Sequence, residues 1–195
     1  MEVVHAKKRV AGKRLAPSKP TTVAEFELWE AKRQPDYNYE FYYGEIIKKP
    51  GMKQIEAFIV KMLSRTFSKT KAYANGGELI PEMDVYVDAF RKRIPDIAFY
   101  TEAQIKGAAK GEKVVPAFAM EILSDSETLI NIETKIQDYF DAGVKLVWYI
   151  LPKSKKIYAY SAPSELNVFI TGQSIKALPV LPDFEINIEQ LFTIG

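Results

Sequence analysis

The chain has 195 residues, 47% of them hydrophobic and 12% aromatic, which is enough to bury a core of ordinary size, and its net charge is only +2. It contains no cysteine, so disulfides, cysteine-zinc modules and thiol catalysis are excluded. No apolar run approaches the roughly 18 residues that cross a bilayer, and the N-terminus lacks the apolar stretch of a secretory signal, so a soluble, cytoplasmic protein is expected.

The charge is unevenly placed. Residues 1–20 carry Lys7, Lys8, Arg9, Lys13, Arg14 and Lys19 against Glu2 alone, which puts +5 on this segment and, with +2 on the whole chain, −3 on the remainder. Such a block reads as a flexible basic tail able to contact nucleic-acid phosphates without sequence preference, or equally as a solvated leader with no partner. A single domain is expected over residues 21–195. Within it, Thr22 and Glu25 match a helix capping box, predicting a helix of about three turns to near Pro35. The aromatic-rich stretch 37–48, "YNYEFYYGEIIK", predicts a strand pair turning at Gly44. From Gln54, the residues Ile55, Phe58, Ile59, Met62, Leu63 and Phe67 recur at helical spacing.

The middle of the chain reads as strands. "IPEMDVYVD" (80–88) and "RIPDIAFY" (93–100) each predict one strand, separated by the charged turn "AFRKR". Residues 101–114 suit a surface helix or loop, and "VVPAFAMEIL" a third, more buried strand. Ser126 or Thr128 can cap a following helix that runs to about Ala142, where Gly143 supplies a left-handed stop. "KLVWYILP" has the continuous apolar character of a central strand, and "KKIYAYS" with "LNVFITG" suits a closing hairpin. The fold class expected is α/β (α+β), a mixed sheet flanked by helices.

Elimination narrows the chemistry. The only histidine is His5, in the basic tail, so histidine triads and histidine-metal hydrolases have no residue in the core. No glycine-rich phosphate loop of the Walker or Rossmann type occurs. Carboxylate and lysine chemistry remains, and oxygen ligands suit Mg²⁺ or Mn²⁺. Asp96 follows Pro95 at the start of a strand, and Glu121 lies inside the apolar run 118–123, where a lone carboxylate is costly unless something neutralises it. Placed on a helical wheel with Leu129 at 0°, the apolar stripe falls between about 280° and 20°, and Lys135 at about 240° borders it. Each also has a purely structural reading: a turn aspartate, a strand glutamate facing water, a lysine laid along an apolar stripe.

The order Pro-Asp, then a strand glutamate, then a lysine resembles the PD-(D/E)XK nuclease signature. The flanking blocks "TTVAEFELWE", "YEFYYGEI", "IPDIAFY", "MEILSDS", "ETKIQDYFDAGVKLVWYILP" and "LPDFEINIEQLF" resemble the Uma-type putative restriction endonuclease family over about residues 21–192. That resemblance implies a restriction-endonuclease-like fold and a metal-dependent endonuclease hydrolysing DNA, with Asp96, Glu121 and Lys135 catalytic. It further implies Mg²⁺ or Mn²⁺ held by Asp96, Glu121 and the Ile122 backbone carbonyl, with Glu40 auxiliary. Leu123 stands where the signature has its lysine, whose place is taken by Lys135 on the next helix. Tyr43, Leu146 and Leu151 stand where many relatives carry charged residues. A homodimer suits cleavage of two strands. The alternative is a nucleic-acid-binding or regulatory protein that keeps the fold without cutting; a self-associating structural module is a third reading.

Overall fold

The computed structural model describes residues 19–32, 37–123 and 128–193, so the basic residues Lys7, Lys8, Arg9, Lys13 and Arg14 lie outside it. Thr22 caps the first helix, α1 (Val23–Glu30), by accepting from the Glu25 backbone N–H. The Glu25 carboxylate turns one residue further back than a capping box requires and accepts from the Thr21 backbone and hydroxyl, both at 2.8 Å. The helix has about two turns instead of three. It ends at Glu30 with Ala31 as its C-cap, short of the expected boundary near Pro35; residues 33–36 are outside the described residues.

The strands β1 (Asn38–Tyr42) and β2 (Glu45–Lys49) pair antiparallel as expected. Tyr43 and Gly44 join them with φ of 42° and 83°, both in the left-handed region, which is the twist-matched two-residue turn of hairpins. Helix α2 (Gln54–Phe67) buries Ile59, Leu63 and Phe67 but leaves Ile55 exposed. A single turn, α3 (Lys71–Ala74), follows.

Both predicted middle strands break in two. Residues 80–88 divide into β3 (Glu78–Pro81) and β4 (Val85–Tyr86), with Glu82 at φ 52° turning the chain between them. Residues 93–100 divide into β5 (Arg91–Arg93) and β6 (Ile97–Tyr100), so part of the expected charged turn is strand, with Lys92 and Arg93 buried. Proline has no N–H for a ladder, and at Pro95 the chain leaves one sheet for another. Asp96 thereby stands at the seam between two sheets.

The rest follows the predicted order: α4 (Glu102–Ala108), β7 (Phe118–Ile122), α5 (Leu129–Ala142), β8 (Leu146–Leu151), β9 (Lys156–Ala162) and β10 (Glu165–Ile170). Thr128 caps α5 and Gly143 ends it at φ 105°, while Ser126 is outside the described residues. Two further strands, β11 (Ser174–Ala177) and β12 (Leu181–Asn187), and helix α6 (Ile188–Phe192) close the fold.

The central sheet has the order β10-β9-β8-β7-β6-β3 and is mixed: β7 and β8 run parallel, and the other neighbours are antiparallel. A second sheet has the order β2-β1-β5-β4, and β11 pairs with β12. Alternation divides the buried strands between two cores. Phe118, Met120 and Ile122 join α2, β12 and α6 on one side, whereas Ala119 packs with Ile136 and Tyr139 of α5 on the other. Glu121, two residues after Ala119, points to this α5 side and meets Tyr139 there. A third cluster seats α1 on β1 through Val23, Phe26 and Phe41.

Close packing is strictest at Gly77, just before β3. A Cβ there would lie 2.9 Å from the Ala72 carbonyl oxygen and 2.9 Å from the Phe99 ring. Gly77→Ala is therefore expected to cost about 1–3 kcal/mol through overpacking, seen as a lower urea midpoint with an unchanged slope.

Candidate active site

Pairing of β6 with β7 sets Ile97 opposite Met120, and one step outward on this register Asp96 faces Glu121. The backbone completes the juxtaposition, since the Ile122 N–H donates to Asp96 Oδ2 at 2.6 Å. The parallel neighbour of Glu121 is Tyr149 on β8. From the opposite side α5 brings Lys135 and, one turn on, Tyr139, so that Lys135 Nζ lies 3.4 Å from Glu121 Oε1 and the Tyr139 hydroxyl donates to that same oxygen. Glu40, on β1 of the second sheet, is 3.4 Å from Lys135 Nζ through its own Oε1. Asp96, Glu121, Lys135, Glu40 and Ile122 all line one cleft of about 250 Å³, with Asn131, Met52 and Glu56 also at its walls.

Glu121 is 2% exposed and Glu40 2%, so their charges need partners that the fold must supply. Glu40 accepts from the Ile94 backbone N–H and from Arg93, both at 3.1 Å. Arg93 in turn donates to Asp138 of α5 at 2.6 Å, and Asp138 accepts from Arg91 at 2.6 Å, so one chain of charges joins β1, β5 and α5 behind the cleft. Burial opposes the charge on Arg93, but Glu40 and Asp138 outweigh it and raise its pKa above the ordinary value. Burial pushes the Tyr139 phenol well above its ordinary range, and the charges of Glu121 and Glu40 push the same way. Tyr139 is thus a fixed donor at neutral pH.

One residue in this cleft had no signal in the sequence reading. Lys49, the last residue of β2, reaches Asp96 Oδ1 at 2.8 Å and donates to the Ile94 carbonyl at 2.7 Å. Burial alone would lower its pKa, but Glu121 and Asp96 together outweigh that and hold it above the ordinary value. In sequence Lys49 follows Lys48 and precedes Pro50, which reads as a solvated hairpin end. Tyr139 and Arg93 carry no site signal in the sequence either, the first lying in the apolar stripe of its helix and the second where the charged turn meets the predicted strand 93–100. Tyr43, Leu146 and Leu151, the departures from the family pattern, do not line the cleft; Tyr43 is an exposed turn residue stacked on Phe90.

Over residues 23–189 the sequence matches the model of the Uma2 family, described as putative restriction endonuclease. The chain belongs to the Uma2 family. A search of curated proteins gives no match. Among solved structures, a putative nuclease belonging to DUF820 from Anabaena variabilis ATCC 29413 superposes with a TM-score of 0.74 at 20% identity, covering 89% of this chain and 98% of that one. At that identity the likeness speaks to the fold, and it agrees with the mixed sheet flanked by helices. For a Uma2 protein the question becomes whether the cleft suits a divalent ion. Among the described residues no group of three or more acidic or histidine side chains is poised around one point, so a Ca²⁺-type cage is absent. Mg²⁺ needs less, since it takes one or two carboxylates and fills its shell with water and phosphate oxygens. The hard oxygen donors of Asp96 and Glu121, beside the Ile122 backbone, fit that requirement.

Proposed function

We infer that the cleft hydrolyses phosphodiester bonds in DNA, as a metal-dependent endonuclease using Mg²⁺ or Mn²⁺. The observation that carries this reading is the gathering of Asp96, Glu121 and Lys135, far apart in sequence, along one open cleft in a chain of this family. Asp96, Glu121 and the Ile122 carbonyl would hold the ion, which when bound polarises the scissile phosphate and makes a water more acidic. Lys135, whose ammonium is shared between Glu40 and Glu121, offers a positive charge to the phosphoryl oxygens as negative charge grows on them. Glu40 orients Lys135, and Arg93 holds Glu40 in place in turn by donating to it. Tyr139 fixes the rotamer of Glu121 by donating to it. The reaction adds water across one P–O ester bond, leaving a phosphomonoester and a free hydroxyl. A cytoplasmic location matches this substrate, and a homodimer would supply one cleft for each strand.

The test is nicking of supercoiled plasmid in Mg²⁺ or Mn²⁺. Conversion to the relaxed form is expected with the unmutated protein, none is expected in EDTA, and Asp96→Asn should reduce it by at least about 10²-fold. An Asp96→Asn protein that nicks at the unmutated rate removes Asp96 from the reaction.

A further inference from the structure

The carboxylate that the nuclease reading assigns to the metal already has a cation on it. Asp96 has two oxygens. Oδ2 is committed to the Ile122 N–H at 2.6 Å and Oδ1 to Lys49 Nζ at 2.8 Å. Lys49 is itself anchored, because it also donates to the Ile94 carbonyl at 2.7 Å and its side chain is only 9% exposed. Around it the carboxylates Glu40, Asp96 and Glu121 meet the cations Arg93, Lys49 and Lys135, so each of the three already has a cation within 3.4 Å. Placing a further double positive charge beside buried carboxylates already paired with cations is unfavourable, in proportion to the low effective dielectric there.

We propose that Lys49 is a resident cation seated on Asp96 where the divalent ion has to bind, so that metal enters the cleft appreciably only together with a nucleic-acid phosphate. The inference rests on the nuclease reading and adds its order of loading. A phosphate brings the negative charge that the ion otherwise lacks, and it gives the Lys49 ammonium a second anionic partner once Asp96 Oδ1 turns to the ion. Lysine suits this exchange better than arginine would, being a compact charge on a flexible stem with no planar two-point grip on the carboxylate. The consequence is a protein that holds divalent metal weakly when free and cuts only where both components meet.

The experiment is calorimetric titration of Mn²⁺ into the unmutated protein, Lys49→Met and the double variant Lys49→Met/Asp96→Asn, each alone and with a phosphorothioate-substituted DNA duplex. Lys49→Met keeps the aliphatic stem and removes the charge. Without DNA it should bind Mn²⁺ at least about tenfold more tightly than the unmutated protein. The double variant should lose that gain, and the duplex should close the gap between Lys49→Met and the unmutated chain. Lys49→Gln serves as a second variant should methionine impair folding, and for either one Mn²⁺ should raise the melting temperature more than it does for the unmutated protein. Equal Mn²⁺ affinity of the unmutated and Lys49-substituted proteins without DNA overturns the inference while leaving the metal site standing. No Mn²⁺ uptake by any variant, with or without duplex, overturns the nuclease reading and the inference with it.

Discussion

The Asp138→Ala protein is expected to be less stable than the unmutated chain by about 3–5 kcal/mol, the penalty for stripping a buried ion network of one partner. Asp138 is 1% exposed and accepts from Arg93 Nε and Arg91 Nη1, each at 2.6 Å. Removing it leaves the guanidinium of Arg93, itself 3% exposed, with Glu40 as its remaining acidic partner among those described. Arg91 is less affected, because Asp88 and Asp141 still hold it from the solvent side. For a chain of this size the loss corresponds to a fall of roughly 10 °C in melting temperature. Asp141→Ala provides the contrast: its carboxylate is 35% exposed, and such a rim pair contributes about 0–1 kcal/mol. Urea unfolding of the two variants side by side decides the matter, and a shift below 1 kcal/mol for Asp138→Ala would mean that water replaces the lost carboxylate. The network matters to the site because it ties β5 and β1 to the face of α5 that carries Lys135.

Asp138 also marks where a helical wheel stops being informative. At about 180° on the wheel that puts Leu129 at 0°, it lies opposite the apolar stripe and reads as solvated. It is buried because a second sheet, β2-β1-β5-β4, packs beside α5, and nothing local to the helix announces that. The same cause hides Lys49 and Arg93, which belong to strands of that sheet: the first lies just past the predicted strand pair 37–48, the second where the charged turn meets the predicted strand 93–100. Features governed by local chemistry were legible: the Tyr43-Gly44 turn, the Thr128 cap and Gly143 stop of α5, and the apolar run of β8. Segments 80–88 and 93–100 read in sequence as one strand each, the first because its period-2 patterning continues across Glu82, although the chain changes sheets at Glu82 and at Pro95. Of the candidate site, the residues tied to a sequence pattern, Asp96, Glu121, Lys135 and Glu40, do line one cleft, while the groups that hold them in place come from the topology.

Graded loss of cleavage between Glu121 and Tyr139 is the sharpest expected result at the site itself. Glu121→Ala takes away one of the two carboxylates proposed for the metal and the acceptor shared by Lys135 and Tyr139, so cleavage should fall by at least about 10²–10³-fold. Tyr139→Phe leaves both carboxylates and Lys135 in place and removes only the hydroxyl that orients Glu121, for which a loss of about 10–100-fold is expected, as for groups that position metal ligands. Because burial holds the phenol far above its ordinary pKa, the hydroxyl stays protonated and donating throughout the neutral and mildly alkaline range. The ratio of unmutated to Tyr139→Phe rate should therefore be flat with pH, whereas a proton-transferring tyrosine would make it vary. Mn²⁺ affinity measured with phosphorothioate DNA should weaken in Tyr139→Phe and vanish in Glu121→Ala, which separates ligand positioning from loss of fold, provided thermal melts show both variants folded. Equal rates for Glu121→Ala and the unmutated protein would leave the buried glutamate a structural partner of Tyr139 and Lys135, and the hydrolytic reading would lose one of its two metal carboxylates.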